Sequence, residues 1–174
     1  VHMGSDRDGW CHNNSQPAVM AMQAHSAPLG ITFYNHSRAS SSECGPDSGG
    51  FPAAFDGDAF VAYHGSWNRD EPTGQKVVRI AMGDDGMPSG EQPVDVLWHA
   101  GEGARWPSGL RPVDLKFVSC HDIAAIWVAF FSRWQRYRCG QDKCGRLLVS
   151  SDGTSRDGYA DNVGRMVLLL RSQN

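Results

Sequence analysis

His25-Ser-Ala-Pro28-Leu-Gly30-Ile-Thr-Phe-Tyr34 is answered downstream by Tyr63-His64-Gly65-Ser66-Trp67-Asn68-Arg69. Each stretch joins apolar, β-branched and aromatic residues to a cluster of His, Ser, Trp, Asn and Arg. In the first, Ile31 and Phe33 alternate with Thr32 and Tyr34, the period-2 pattern of a strand. In the second, Ala59–His64 reads as a strand after the turn signal Asp56-Gly57-Asp58. Strands that end in polar, titratable and aromatic groups present chemistry from a rigid edge. The two ends are expected to face a common site.

Outward from these strands the pattern continues. Lys76–Met82 reads as a third strand, and Pro93–His99 as a fourth, with Asp70–Gly74 and Gly83-Asp84-Asp85-Gly86 as the turns before them. Then it starts over. Leu110–Val118, Gly145–Ser150 and Gly164–Arg171 read as three more strands. The halves align: Pro28-Leu-Gly-Ile-Thr-Phe with Pro112-Val-Asp-Leu-Lys-Phe, and Lys76-Val-Val-Arg-Ile with Arg165-Met-Val-Leu-Leu. Between these, Asp58-Ala-Phe-Val-Ala-Tyr-His-Gly-Ser aligns with Gly145-Arg-Leu-Leu-Val-Ser-Ser-Asp-Gly.

A repeat of about four short antiparallel strands is the unit of a β-propeller blade. The expected fold is all-β: one full blade over 24–104 and an incomplete last blade over 105–174. Residues 1–23 are read as the irregular end of a preceding blade. The absent fourth strand suits propellers that close by borrowing a strand from the other end of the chain. An ordinary β-sandwich is the competing reading. Two blades alone leave apolar surface and strand edges uncovered. Residues 119–144, with Ile123–Tyr137 rich in Trp, Phe and Arg, interrupt the repeat as an atypical insertion.

The bulk numbers agree with a turn-rich β protein. Its 174 residues include 20 Gly and 9 Pro, with 40% hydrophobic and 20% charged residues. A net charge of −3 leaves no nucleic-acid footprint. The longest apolar run, Ile123–Phe131, is too short to span a bilayer at ~20 residues per helix. Val1 is not Met, and Val1–Asn14 has no leader pattern, so the chain reads as a fragment or processed product. Five cysteines (Cys11, Cys44, Cys120, Cys139 and Cys144) in loop-like surroundings suit disulfides and an oxidising compartment, with one left over. Cys139-Gly-Gln-Asp-Lys-Cys144 reads as a hairpin disulfide rather than a metal half-site. Asn13-Asn-Ser15 and Asn35-His-Ser37 are glycosylation acceptor triplets, consistent with a secreted protein.

His25-Ser-Ala-Pro-Leu-Gly30, His64-Gly-Ser-Trp-Asn-Arg69, Gly109-Leu-Arg-Pro-Val113 and Leu147-Leu-Val-Ser-Ser-Asp152, in this order, resemble the C-terminal part of the sorbosone/glucose dehydrogenase family. The likeness covers most of 24–118 and 145–171. Members of that family are six-bladed propellers that bind pyrroloquinoline quinone (PQQ) and calcium and oxidise sugars. The resemblance implies a sugar or sugar aldehyde as substrate, a separate electron acceptor, and N-terminal blades as partners. In the family's reaction a base removes a hydroxyl proton, hydride passes to the quinone, and calcium polarises a quinone carbonyl. The base of the soluble glucose dehydrogenases is a histidine from the N-terminal part of the propeller, to which no residue here matches. Weak or no turnover is therefore expected of these residues alone.

PQQ carries three carboxylates on a planar quinone. Arg69 and Arg111 suit carboxylates, because guanidinium is always charged and binds bidentately. Trp67 offers a ring-sized apolar surface. His25 and His64 can donate to quinone or carboxylate oxygens, or act as acid or base. His25, His64, Trp67, Arg69 and Arg111 are the candidate cofactor-binding residues. Each has a plainer reading: Arg69 in a surface salt bridge, Arg111 extended before Pro112, Trp67 in a core, the histidines satisfying backbone groups. Gly30 and Gly65 read as backbone geometry. Ser151-Asp152-Gly153 reads as a turn before it reads as a calcium site, and no metal ligand is assigned. A non-catalytic extracellular propeller that serves as a binding module is the alternative.

Overall fold

The computed structural model describes residues 5–39, 51–104, 106, 109–118, 146–151 and 165–169. Helix α1 spans Ser5–Asn14. Strand β1 (Pro28–Phe33) is followed by the short helix α2 (His36–Ala39) and a 3₁₀ turn at Ala53–Phe55. Strands β2 (Ala59–Tyr63), β3 (Lys76–Ile80) and β4 (Val94–Leu97) complete a four-stranded sheet in the order β1-β2-β3-β4. Strands β5 (Pro112–Val118), β6 (Arg146–Ser151) and β7 (Arg165–Leu169) form a three-stranded sheet in the order β5-β6-β7. Every neighbouring pair is antiparallel. All seven expected strands are present; six are shorter than expected by one to three residues, and β6 keeps the expected length but begins and ends one residue later.

β2, Ala-Phe-Val-Ala-Tyr, is buried along its whole length. It carries apolar residues on both faces because both faces are covered. Phe60 and Ala62, with Tyr34 and Val77, meet Leu115, Leu147 and Val149 of the second sheet. Phe117 closes this core: its ring centroid lies 4.9 Å from Tyr34 and 5.0 Å from Phe60, tilted or edge-on as aromatic quadrupoles prefer. Ala59, Val61, Tyr63, Val78 and Ile80 form the opposite face, against Met20 and Met82. Over β1 that face is uncovered: Ile31 is 57% and Phe33 54% exposed.

β1 and β5 run against each other. A Cβ on Gly30 would stand 2.6 Å from the Asp114 Cα and 2.8 Å from the Val113 carbonyl oxygen. Only a residue without a side chain lets the two backbones approach this closely. At the far end of the sheet, Asp58 accepts the Met82 N–H at 3.0 Å and pairs with Arg79 at 3.4 Å. The Arg79 guanidinium also stacks 3.8 Å from the centre of the Phe55 ring.

The repeat is visible in the ladders. Pro28 pairs with Tyr63 and Pro112 with Ser151, and in each sheet the register shifts just after the proline. This corrects the sequence alignment of the second strands, which sets His64, not Tyr63, against Ser151. Ala-Phe-Val-Ala-Tyr has no alternation, so a slip of one residue leaves its apolar pattern unchanged, although it exchanges the faces.

Two further readings change. Residues 5–14, read as irregular, are helical, and within that helix Asn14 Nδ2 donates to the Trp10 carbonyl at 2.8 Å. The helix has no apolar stripe, so periodicity carried no signal for it. The stretch after Tyr34, read as loop, begins with α2. Cys11, the one cysteine among the described residues, is a free thiol. The 119–144 insertion, the Cys139–Cys144 pairing and the Asp152 turn lie outside the described residues. Among the described residues no helix is long and apolar enough to cross a membrane.

Candidate functional site

In these antiparallel meanders, β1 starts, β2 ends, β3 starts, β5 starts and β6 ends at the same edge. The segments His25–Ala27, His64–Gln75 and Gly109–Arg111, with Ser151, therefore gather there. Backbone hydrogen bonds join the first two. The His64 N–H donates to the Ala27 carbonyl at 3.0 Å and the Gly65 N–H to the Ser26 carbonyl at 2.8 Å. Thr73 ties the outer loop back, its hydroxyl on the His25 carbonyl at 3.2 Å and its N–H on Ser66 Oγ at 3.0 Å. Ser26 is fully buried, and its hydroxyl donates to Gln23 Oε1 at 2.9 Å.

The backbone here is unusual. His25, Ala27 and Gln75 have φ of 59°, 45° and 54°. Non-glycine residues in this region each cost of order 1–3 kcal/mol and persist where the surroundings over-determine them. Gly65, at φ 97°, is packed against the Gln75 backbone: an added Cβ would lie 2.9 Å from Gln75 N and would strike its side chain. Trp106 holds Gln75 from the other side, its indole N–H donating to the Gln75 carbonyl at 2.6 Å and its backbone N–H to Oε1 at 3.3 Å.

Arg111 connects the two sheets. Its Nε donates to the His64 carbonyl at 3.2 Å, and its Nη2 to those of Gly65 (2.9 Å) and Ser66 (3.3 Å). Its backbone N–H donates to Ser151 Oγ at 2.9 Å. The guanidinium fork thus grips a loop of consecutive carbonyls. Trp67 and Arg69 sit on the exposed part of the same loop. Trp67 is 79% exposed, and Arg69 Nε donates to the Glu71 carbonyl at 3.2 Å. His25 is exposed and His64 half-buried.

All five candidate residues therefore lie at one edge, in different settings. His25 and His64 stand on backbone that is hydrogen-bonded across the edge, Arg111 turns inward onto the loop, and Trp67 and Arg69 face outward. Ser26, Thr73, Gln75 and Trp106 hold the loops and were not singled out from sequence. The Ser in the His25–Gly30 motif was the one available cue. Nearby, burial of Tyr63 raises its phenol pKa, the negative charge of Asp95 adds to this, and a hydrogen bond with the Gln23 backbone opposes it. Among the described residues no three His, Cys, Asp or Glu gather in a way that could hold a metal ion.

A family model described as TrAA12-like matches residues 2–130, most of the chain. The chain belongs to the TrAA12-like family. Among the similar proteins, a PQQ-dependent pyranose dehydrogenase of Coprinopsis cinerea is 32% identical over 77 residues, 44% of this chain and 8% of that protein. An uncharacterised protein of Borreliella burgdorferi is 36% identical over 64 residues, 37% of this chain and 14% of that protein. A solved structure of the Trichoderma reesei carbohydrate-active enzyme of family AA12, in its iodide form, matches with a TM-score of 0.52 at 21% identity. That match covers 95% of the TrAA12-like chain and 30% of the solved one, so the fold is shared. The family expectation holds at this broader level; the narrower sorbosone/glucose dehydrogenase resemblance is not what the matches name.

Proposed function

We propose that this TrAA12-like chain is part of a secreted, PQQ-dependent oxidoreductase acting on sugars, and that the shared edge of its two sheets supplies part of the quinone site. The observation that carries the reading is the meeting of His25–Ala27, the Tyr63–Arg69 loop and Arg111 at that edge. The relative named as a PQQ-dependent pyranose dehydrogenase supports the cofactor and the sugar class. The calcium reading rests on the sequence resemblance.

The donor set suits the quinone. PQQ, when bound, supplies a two-electron acceptor. Trp67 presents an exposed ring of matching size, and Arg69 an exposed guanidinium for a carboxylate. His25 and His64 can hold or donate a proton at the rim. Arg111 fixes the loop that carries His64, Trp67 and Arg69. The narrower sorbosone or glucose dehydrogenase activity is one form the sugar oxidation can take.

A propeller is the whole-molecule form of this reading. The second sheet packs Leu115, Leu147 and Val149 onto the first. By the ladder registers, the equivalents in the first sheet are Ile31, Ala59 and Val61, on the face left open at Ile31 and Phe33. A further sheet docked by the same operation would cover that face.

The test is equilibrium titration of the chain with PQQ, with and without calcium, alongside dye-coupled oxidation of glucose and other pyranoses. Saturable PQQ binding with little or no turnover is expected. Absence of saturable binding would overturn the cofactor reading.

A further inference from the structure

We propose that Asn35 is the acceptor of an N-linked oligosaccharide. Asn35-His36-Ser37 is an acceptor triplet with a non-proline centre. Asn35 and Ser37 are both exposed, and Ser37 Oγ donates to Asn35 Oδ1 at 2.8 Å. A hydroxyl donating to an amide oxygen draws charge from the amide and makes its N–H more acidic. The central residue is anchored instead: the His36 N–H donates to Asp56 Oδ1 at 2.7 Å, and its ring Nδ1 lies 3.2 Å from the Tyr34 hydroxyl. That hydroxyl donates to the Phe51 carbonyl at 2.9 Å. The centre of the triplet is therefore held by Asp56 and a buried tyrosine, and its first and third residues are exposed.

The position suits a bulky modification. β1 runs its full six residues, about 20 Å at ~3.3 Å per residue, between the His25 edge and Asn35. A glycan at Asn35 leaves the opposite end of the sheet from Trp67 and Arg69. In the transfer, Asn35 Nδ2 attacks C1 of the reducing-end sugar of a lipid-pyrophosphate-linked oligosaccharide. The C1–N bond forms as the C1–O bond to pyrophosphate breaks. The amide loses one proton to a base of the transferase, the lipid pyrophosphate leaves, and nothing is oxidised or reduced.

The inference rests on the secreted reading above, because this transfer takes place in the lumen of the secretory pathway. Its test separates the two. In the first arm a supplied leader sends the full chain into the secretory pathway of a yeast. The product is treated with peptide-N-glycosidase in ¹⁸O water and read by tandem mass spectrometry. Asn35 is expected to convert to ¹⁸O-labelled Asp, with complete loss of the label in Asn35→Gln and Ser37→Ala and retention in Ser37→Thr. Recovery of unmodified Asn35 in chains whose leader has been cleaved overturns the proposal. So does label at Asn13 alone, in the second triplet. In the second arm the native protein is sought in its producer's culture medium; its absence there counts against secretion and leaves the first arm's result at Asn35 intact.

Discussion

Arg111 directs Nε and Nη2 at the carbonyls of His64, Gly65 and Ser66, so its charge sets loop geometry before it can meet any ligand. Hydrogen bonds from charged donors contribute about 1.5–3 kcal/mol, and Arg111→Ala is expected to destabilise the chain by that order in urea unfolding. Amide exchange at Gly65 and Ser66 should quicken with it. Arg111→Lys should recover only part, because an ammonium lacks the planar fork; full recovery would contradict the clamp. Two phenols respond to alkali. Burial, reinforced by Asp56 at Tyr34 and by Asp95 at Tyr63, raises both pKa values above their ordinary value. Above pH ~10 the unfolded phenols lose protons that the folded ones keep. Their contribution to stability is therefore full below that pH and is lost as pH rises toward the folded values. Stability measured across this range should fall above pH ~10 and fall less steeply in Tyr63→Phe; an unchanged slope would contradict the assignment.

At the scale of elements, the strands were legible because β-branched and aromatic runs are bounded by turn residues, and because a proline opens the first strand of both sheets. The register of β2 was not, since Ala59–Tyr63 offers apolar side chains to both faces. Helix α1 was not, since it has no apolar stripe. Edge membership of His25, His64, Trp67, Arg69 and Arg111 followed from where the strands begin and end. The inward turn of Arg111 did not, because spacing along a chain says nothing of which way a long side chain folds. Nor did the left-handed backbone at Gln75, which Trp106 holds from thirty-one residues away. The β1–β5 approach makes its own prediction. Gly30→Ala places a methyl against backbone atoms that cannot swing aside. Overpacking of this kind costs about 1–3 kcal/mol, and a loss of that order in unfolding measurements is expected. A neutral Gly30→Ala would contradict the close crossing.

At the scale of the whole molecule, the two sheets are one repeat in different surroundings, and equivalent positions should answer mutation differently. Phe33 and Phe117 occupy matching ladder positions. Phe117 packs among Tyr34, Phe51 and Phe60, whereas Phe33 is 54% exposed. Phe117→Ala is expected to cost about 3 kcal/mol and Phe33→Ala about 0.5 kcal/mol or less, compared by urea midpoints. Equal losses would contradict the uncovered face on which the propeller reading leans. The central claim is that the shared edge binds a quinone cofactor. Its most direct test is calorimetric titration of PQQ into the chain and into Arg69→Ala. The account predicts saturable binding weakened about tenfold by the substitution, or ~1.4 kcal/mol; equal affinity in the two proteins, or no binding to either, would contradict it.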